Sequence, residues 1–364
     1  MNNSFPTRGL RFAFPRVAVV LITAWFLAQG VYALPQDQTK SGTAAADVDS
    51  TSPPSPRPTR EQYQQDAANL RAAQPEIQAR ATRIEAELAT LPQTELAADH
   101  WAREWAGEYY VGNGLGMNVR ILVAPDAGIT YTWHGCLGMY DGNHGDIVDT
   151  FDLDDDGQPD GLRINWVLHP IKGYHFNSET FYFVRWAGPD GEEGRRYLVP
   201  EAKMLDMVNH YNQGGYPRDS MYTAPLRYDR PAVGERGWRA SEKPVEGVPQ
   251  LPAKWAKLLL LKAVDAKVTH VTPVTTRNVT NGVDVTRARV TLDKGSADGL
   301  YLGLEVWVHK GIEGPGTLTI DKLQEHTAEA AFQAFTSVGK PAKPPGVDEI
   351  VRVIQGEKKP DTDE

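Results

Sequence analysis

The sequence predicts a mainly β protein with a few helices: an N-terminal helix, a β-sandwich or barrel domain, and then a second, small β-barrel-like domain. Three observations predict it. Apolar and polar residues alternate with period two through much of residues 105–199 and again through 268–353, as half-buried strands require. Turn-forming residues close these runs at sandwich or barrel spacing, and 26 prolines, 33 glycines and 9% aromatics suit a turn-rich β chain better than a helical bundle. At 364 residues the chain is long enough for two ordinary domains with their own cores.

Residues 1–33 read as a signal peptide. Arg8, Arg11 and Arg16 give a basic start, Val17 to Phe26 an apolar stretch, and Val31-Tyr-Ala33 a small-x-small cleavage site before Leu34-Pro35. No cysteine stands at that point to take a lipid. The alternative is an uncleaved anchor, because apolar character continues to Leu34. No later segment is apolar enough to span a bilayer, so the expectation is a periplasmic or secreted protein without stable membrane insertion after cleavage. The net charge is −9, and −12 without those three arginines, since residues 1–33 hold no acid. With no clustered Lys/Arg stripe, this balance argues against nucleic acid and against anionic lipid. The single cysteine, Cys136, cannot form an internal disulfide, so the core must hold the fold alone.

Residues 34–59, rich in Gln, Ser, Thr, Ala, Asp and Pro, read as a disordered linker. In the helical segment 60–98, Leu70, Ala73, Ile77, Ala81, Ile84, Leu88 and Leu91 fall on one stripe. Pro75 is expected at the first turn of the strong helix and Pro92 at its end. The stripe serves either a partner helix or this chain's own β domain; the heptad run is short, which favours the second.

The β-rich domain is expected over 99–250. Strands are placed near 107–111, 118–124, 129–135, 145–151, 162–168, 180–187 and 195–199. Val119, Ile121 and Val123 share one strand face, Pro125-Asp-Ala-Gly128 turns the chain, and Ile129, Tyr131 and Trp133 alternate back. A short helix follows Pro200, with Met204, Leu205, Val208 and Tyr211 on one side and Gly214-Gly215 at its end. Residues 214–250 read as loop. A short helix and a small β domain follow over 251–356, with strands at 268–274, 285–292, 304–308, 318–320 and 350–353 and a hairpin turn at Asn281-Gly282. Residues 357–364 form a charged tail.

Five pieces in order, Trp105-Ala-Gly-Glu-Tyr-Tyr, Asn113-Gly-Leu-Gly-Met-Asn118, Leu122-Val-Ala-Pro125, Trp133-His-Gly-Cys-Leu-Gly-Met-Tyr140 and Arg196-Tyr-Leu-Val-Pro200, together resemble a family of exported bacterial proteins that has no assigned activity. The resemblance spans about residues 101–220 and implies a compartment, not a mechanism. Val290 to Gly303 followed by Leu304-Glu-Val-Trp-Val308 is similar to the small β modules of rod-shape-determining and flagellar envelope proteins. That weaker likeness covers some thirty residues and implies a protein-contact or structural module.

Asp152-Leu-Asp-Asp-Asp-Gly157-Gln-Pro-Asp160 fits D-x-D-x-D-G-x-x-D, the pattern of a calcium loop. Asp152, Asp154 and Asp156 supply carboxylates, Gln158 a backbone carbonyl, and Asp160 a ligand directly or through water. Arg163 stands where a calcium hand places its bidentate Glu, so the fit is partial; the competing reading is a solvated acidic hairpin tip. His134 and Cys136 lie two apart on one strand face, with His144 across the next turn. They offer zinc ligands or a thiolate and base, against the simpler reading of a buried thiol beside hydrogen-bonded histidines. Gly112-Asn-Gly-Leu-Gly116 is a turn rather than a phosphate cradle, because a strand follows it where a helix should be. The many Trp and Tyr between 101 and 166 suit a lipocalin-like cup or a carbohydrate platform, or simply core packing.

No catalytic set emerges. The leading expectation is an exported bacterial envelope protein, non-enzymatic, that binds a partner protein or small ligand through its β domains, with calcium as its one cofactor. The runner-up is a hydrolase of envelope polymer or glycan using Glu108, Asp141, His134 and His144, chosen for proximity in the dense stretch. An enzyme needs two titratable groups converging in one cleft.

Overall fold

A computed structural model describes residues 59–97, 99–112, 117–136, 138–168, 178–186, 195–213, 226–229, 248–280, 282–308, 316–337, 339–340 and 342–353. The expected signal peptide, nearly all of the linker and the charged tail lie outside the described residues. The chain is mainly β, with two nearly closed barrel-like sheets and few helices.

The first sheet is a meander: β1 (Gly107–Gly112), β2 (Met117–Ala124), β3 (Gly128–Gly135), β4 (Gly138–Phe151), β5 (Gly161–Trp166), β6 (Thr180–Trp186), β7 (Arg195–Pro200) and β8 (Leu226–Asp229). Each strand pairs antiparallel with the next, and β8 pairs back onto β1, so eight strands close a ring. β9 (Pro249–Gln250) adds a short rung to β6. Eight strands enclose a space just wide enough for side chains to fill. Period-two alternation supplies them: Tyr109, Val111, Val119, Ile121, Val123, Ile129, Tyr131, Leu162, Ile164, Phe181, Phe183 and Leu198 form one buried cluster. Each large apolar side chain so placed contributes about 1.5–3 kcal/mol. The outward positions Glu108, Tyr110, Asn118, Arg120, Thr132 and His134 of β1–β3 are polar, while Leu122 and Ala124, also outward, are covered by the N-terminal helix. No described helix is long and apolar enough to cross a membrane.

Two glycines are fixed by the curvature of this wall. A Cβ at Gly161 would lie 2.1 Å from the Phe181 carbonyl oxygen, and one at Gly145 would lie 2.5 Å from that of Asn165. Only glycine lets neighbouring strands approach so closely.

Helix α1 (Arg60–Thr90) lies on the outer wall. It begins fifteen residues earlier than Pro75, which sits inside it. The residues before Ala73 are mostly exposed, and there Gln65 donates to Asn69 one turn on, at 2.8 Å. Beyond Pro75, Ile84 is fully buried over Leu122 and Ala124, with Ala81, Leu88 and Ala127 alongside. The predicted stripe thus serves the chain's own β sheet. Polar contacts frame it: Arg80 donates to the Ala127 carbonyl and to Asp146, both at 2.8 Å, and Glu87 accepts from the backbone of Asp126 and Ala127. Helix α2 (Ala102–Trp105) closes one end of the barrel, with Trp101 and Trp105 stacked on Phe183 and Glu104 paired with Arg185 and Arg196.

Helix α3 (Glu201–Asn212) starts after Pro200 as expected and connects the two sheets. Met204, Met207 and Tyr211 pack on Tyr182, Val184, Trp186, Tyr197 and Val199, the outward side of β6–β7. Val208 joins the core of the second sheet. Asn209 accepts from the Tyr301 hydroxyl at 2.7 Å and donates to the Gly303 carbonyl at 2.9 Å. Asn212 donates to the same hydroxyl and accepts from the Leu260 amide, each at 2.8 Å. A short helix α4 (Ala253–Ala256) leads into that sheet.

The second sheet holds β10 (Val264–Val271), β11 (Thr275–Thr280), β12 (Val283–Leu292), β13 (Glu305–Val308), β14 (Gly316–Leu323), β15 (Ala328–Ser337) and β16 (Ile350–Val353). Its order is β13-β14-β15-β12-β10-β16, with β11 against β12. The two-residue hairpin is present: Thr280 pairs with Val283, and Gly282 has φ +95°. Five strands were expected here and seven are seen. In β15, Ala328, Ala330, Phe332 and Ala334 face the core in strict alternation; the small residues let the wall curve tightly.

Candidate functional site

The connection between β4 and β5 is the acidic stretch 152–160. Asp152 accepts from the backbone of Asp154 at 3.2 Å and of Gly157 at 2.8 Å. Asp156 accepts from Gln158 and Asp160 from Leu153, both at 2.7 Å. Asp155, at φ +58°, and Gly157, at φ +83°, turn the chain so that these amides point inward. Asp152, Asp154 and Asp156 each place an oxygen within 4.8 Å of the others. Two ligands on one calcium, at about 2.4 Å each, are separated by no more than such a distance. Among the described residues this is the convergent set of three potential metal ligands, and it is solvent-exposed.

The electrostatics of the loop divide. Desolvation alone would raise the Asp152 carboxyl, but amides from Gly157, Asp154, Asp155 and Asp156 hold it below the usual range. Asp160 is raised, by desolvation first and then by the charges of Asp154, Asp152 and Asp156. Gln158 is exposed beside them. Arg163, at the twelfth position, pairs with Asp149 at 2.8 Å and lies 5.0 Å from the Phe151 ring, away from the loop.

His134, Cys136 and His144 do not meet at one point. His134 and Cys136 are exposed at the end of β3. His144 lies opposite Thr130, four residues back along the strand from His134, or roughly 13 Å at the rise of a β-strand. It is 7% exposed beneath α1, with Nε2 3.6 Å from a Glu76 carboxylate oxygen. Burial lowers both histidines, assisted by Arg120 at His134 and by Arg80 at His144.

The hydrolase candidates are dispersed as well. Glu108 is on the outer wall, its carboxylate accepting from Arg120 Nε at 2.5 Å, and Glu85 of α1 takes the same guanidinium at 2.8 Å. Asp141 faces the other way. It stands opposite Trp133, two positions from Asn143 opposite Tyr131 and so on the same face, and Tyr131 belongs to the interior cluster. Gly142 between them faces outward, since a Cβ there would meet Ile77 of α1 at 3.2 Å. Asp141 is 8% exposed, and its hydrogen bond comes from the Gly142 amide, at 2.8 Å. Desolvation pushes its carboxyl up to about 6, against that amide's pull downward. Asn143 is occupied on both sides by the backbone of Leu168.

Asp141 therefore stands out, and proximity in sequence does not explain why. The signal available was the interrupted alternation of Met139-Tyr140-Asp141-Gly142, which marks a bulge: Trp133 pairs with Asp141 but His134 pairs with Met139. The Asn209–Tyr301–Asn212 link carried no local signal. Comparison with family models, curated proteins and solved structures gave no match.

Proposed function

We propose that this is an exported bacterial envelope protein, non-enzymatic, that binds a partner protein or small ligand through its β sheets, with a calcium ion pinning the β4–β5 connection. One observation carries the binding reading over the hydrolase: the four titratable candidates of the dense stretch do not converge, since Glu108 and His134 share the outer wall with Arg120 engaged by Glu108 there, and the other two do not join them. Glu108 is neutralised by Arg120 outside, His144 is beneath α1, and Asp141 is inside. Acid–base chemistry needs two such groups on one substrate atom. The basic start, apolar stretch and cleavage pattern of residues 1–33 support export.

In the calcium part, Asp152, Asp154 and Asp156 are ligands, Gln158 lends its carbonyl, and Asp160 closes the set. The partner is tested by photo-crosslinking in intact cells, with probes at Thr132 and His134 on the outer wall and at Thr275 on β11. The expected result is discrete adducts in the envelope fraction and mature protein beginning after Ala33. Protein held in the cytosol with residues 1–33 attached, or no adduct from any probe, overturns the reading.

A further inference from the structure

We propose that the β3–β4 end of the first barrel binds a small organic ammonium ion, with Asp141 as its counter-charge and Trp133 and Tyr140 as the rings beside it. The proposal rests on the binding reading above and gives it a ligand class.

A carboxylate taken from water is costly unless something cationic meets it. Asp141 is more than nine-tenths buried on the inward side of β4, and its hydrogen-bond partner is the amide of the very next residue. At the opposite end, by contrast, Glu104 takes Arg185 and Arg196. At Asp141 the protein supplies rings instead. Trp133 is directly across the strand pair, and the Tyr140 ring meets it edge-on, with centroids 5.7 Å apart.

The bulge produces this grouping. Met139 and Gly142 both face outward, since the Met139 sulfur would lie 3.1 Å from a Cβ on Gly142. Tyr140 is the extra residue between them, so Tyr140 and Asp141 follow one another beside Trp133 instead of alternating away.

The ligand class follows from what surrounds the acid. An anion is repelled. A hard metal ion needs several oxygens, and the neighbouring Asn143 amide is already committed to Leu168. An alkylammonium ion combines a positive charge with an apolar body, which a carboxylate and aromatic faces satisfy together.

The test titrates the mature full-length chain at neutral pH with tetramethylammonium and butylammonium chlorides, with sodium chloride at matched ionic strength as control. Tryptophan fluorescence and calorimetry are the readouts. Saturable binding of the ammonium salts alone is expected. Asp141→Asn should weaken it by at least about tenfold with an unchanged near-ultraviolet circular dichroism spectrum, and Tyr140→Leu should weaken it by a few fold. Binding should also fade towards about pH 5, where Asp141 takes up a proton. An equal response to sodium, no saturable response in the native chain, or undiminished binding by Asp141→Asn overturns the proposal. The outer-wall crosslinks do not depend on Asp141, so loss of this site and loss of the broader binding reading are told apart.

Discussion

Replacing Asp141 by Asn removes a charge without changing the size of the side chain, and the amide oxygen can still accept from Gly142. In the folded chain the carboxyl is pushed from 3.8 up to about 6 by burial. A group raised on folding contributes stability below its unfolded value and loses it as pH climbs through the folded one. Above about pH 7, where Asp141 is ionised, that shift corresponds to a penalty of about 3 kcal/mol at 1.36 kcal/mol per pH unit. Asp141→Asn should therefore raise the unfolding free energy from urea titration at about pH 7.5 by an amount approaching about 3 kcal/mol, through a higher midpoint at unchanged slope, and give no gain near pH 3.5. An equal effect at both pH values, or destabilisation at the higher one, refutes the account of a desolvated inward carboxylate. A stabilising substitution at a natural residue is also what a functional charge would produce.

Three further outcomes follow from the geometry. Gly161→Ala places a Cβ 2.1 Å from the Phe181 carbonyl oxygen, so strands β5 and β6 must part; a loss of about 2–4 kcal/mol is expected in thermal or urea unfolding. Asn209→Ala strips partners from the Tyr301 hydroxyl, the Gly303 carbonyl and the Glu305 amide, and should cost about 3 kcal/mol, with loss of the single unfolding transition as its calorimetric mark. Calcium should raise the melting temperature of the native chain but not of Asp154→Ala/Asp156→Ala; because protons compete for carboxylates, and Asp160 is raised, the effect should weaken towards acid pH. A calcium shift that survives the double substitution rules the loop out.

Much of the first barrel was legible because its residues alternate without interruption: β1, β2, β3 and β7 lie within a residue or two of where period two puts them. β4 was read only from 145 onward, since the bulge at Tyr140 and the outward Gly142 beneath Ile77 break the pattern before it. β15 was missed for a different reason. Ala-Glu-Ala-Ala-Phe-Gln-Ala favours a helix locally, and the ten-residue pairing with β12 overrides that preference. β8 hid in a Pro-, Gly- and Arg-rich region where four residues give too short a signal. Pro75 suggests a helix start because proline ordinarily opens or breaks a helix, whereas the helix runs through it from Arg60. At the sites, the acidic loop was readable since its carboxylates are local in sequence. His134 and His144 illustrate the opposite case: closeness in a hairpin does not set which residues face each other, because register does.

The way the first ring closes has a dynamic consequence. Among the described residues, β2 and β3 share eight paired positions, whereas β8 meets β1 through three and β7 through two, and β5 meets β6 through three. Fewer rungs mean a lower free energy of local opening, so amide exchange should be fastest at the β8 seam and slowest at the β2–β3 ladder. The wall behaves as a rolled ribbon with a narrow clasp where β8 closes it, and loosening Leu226–Asp229 would let it part there with every covalent bond intact.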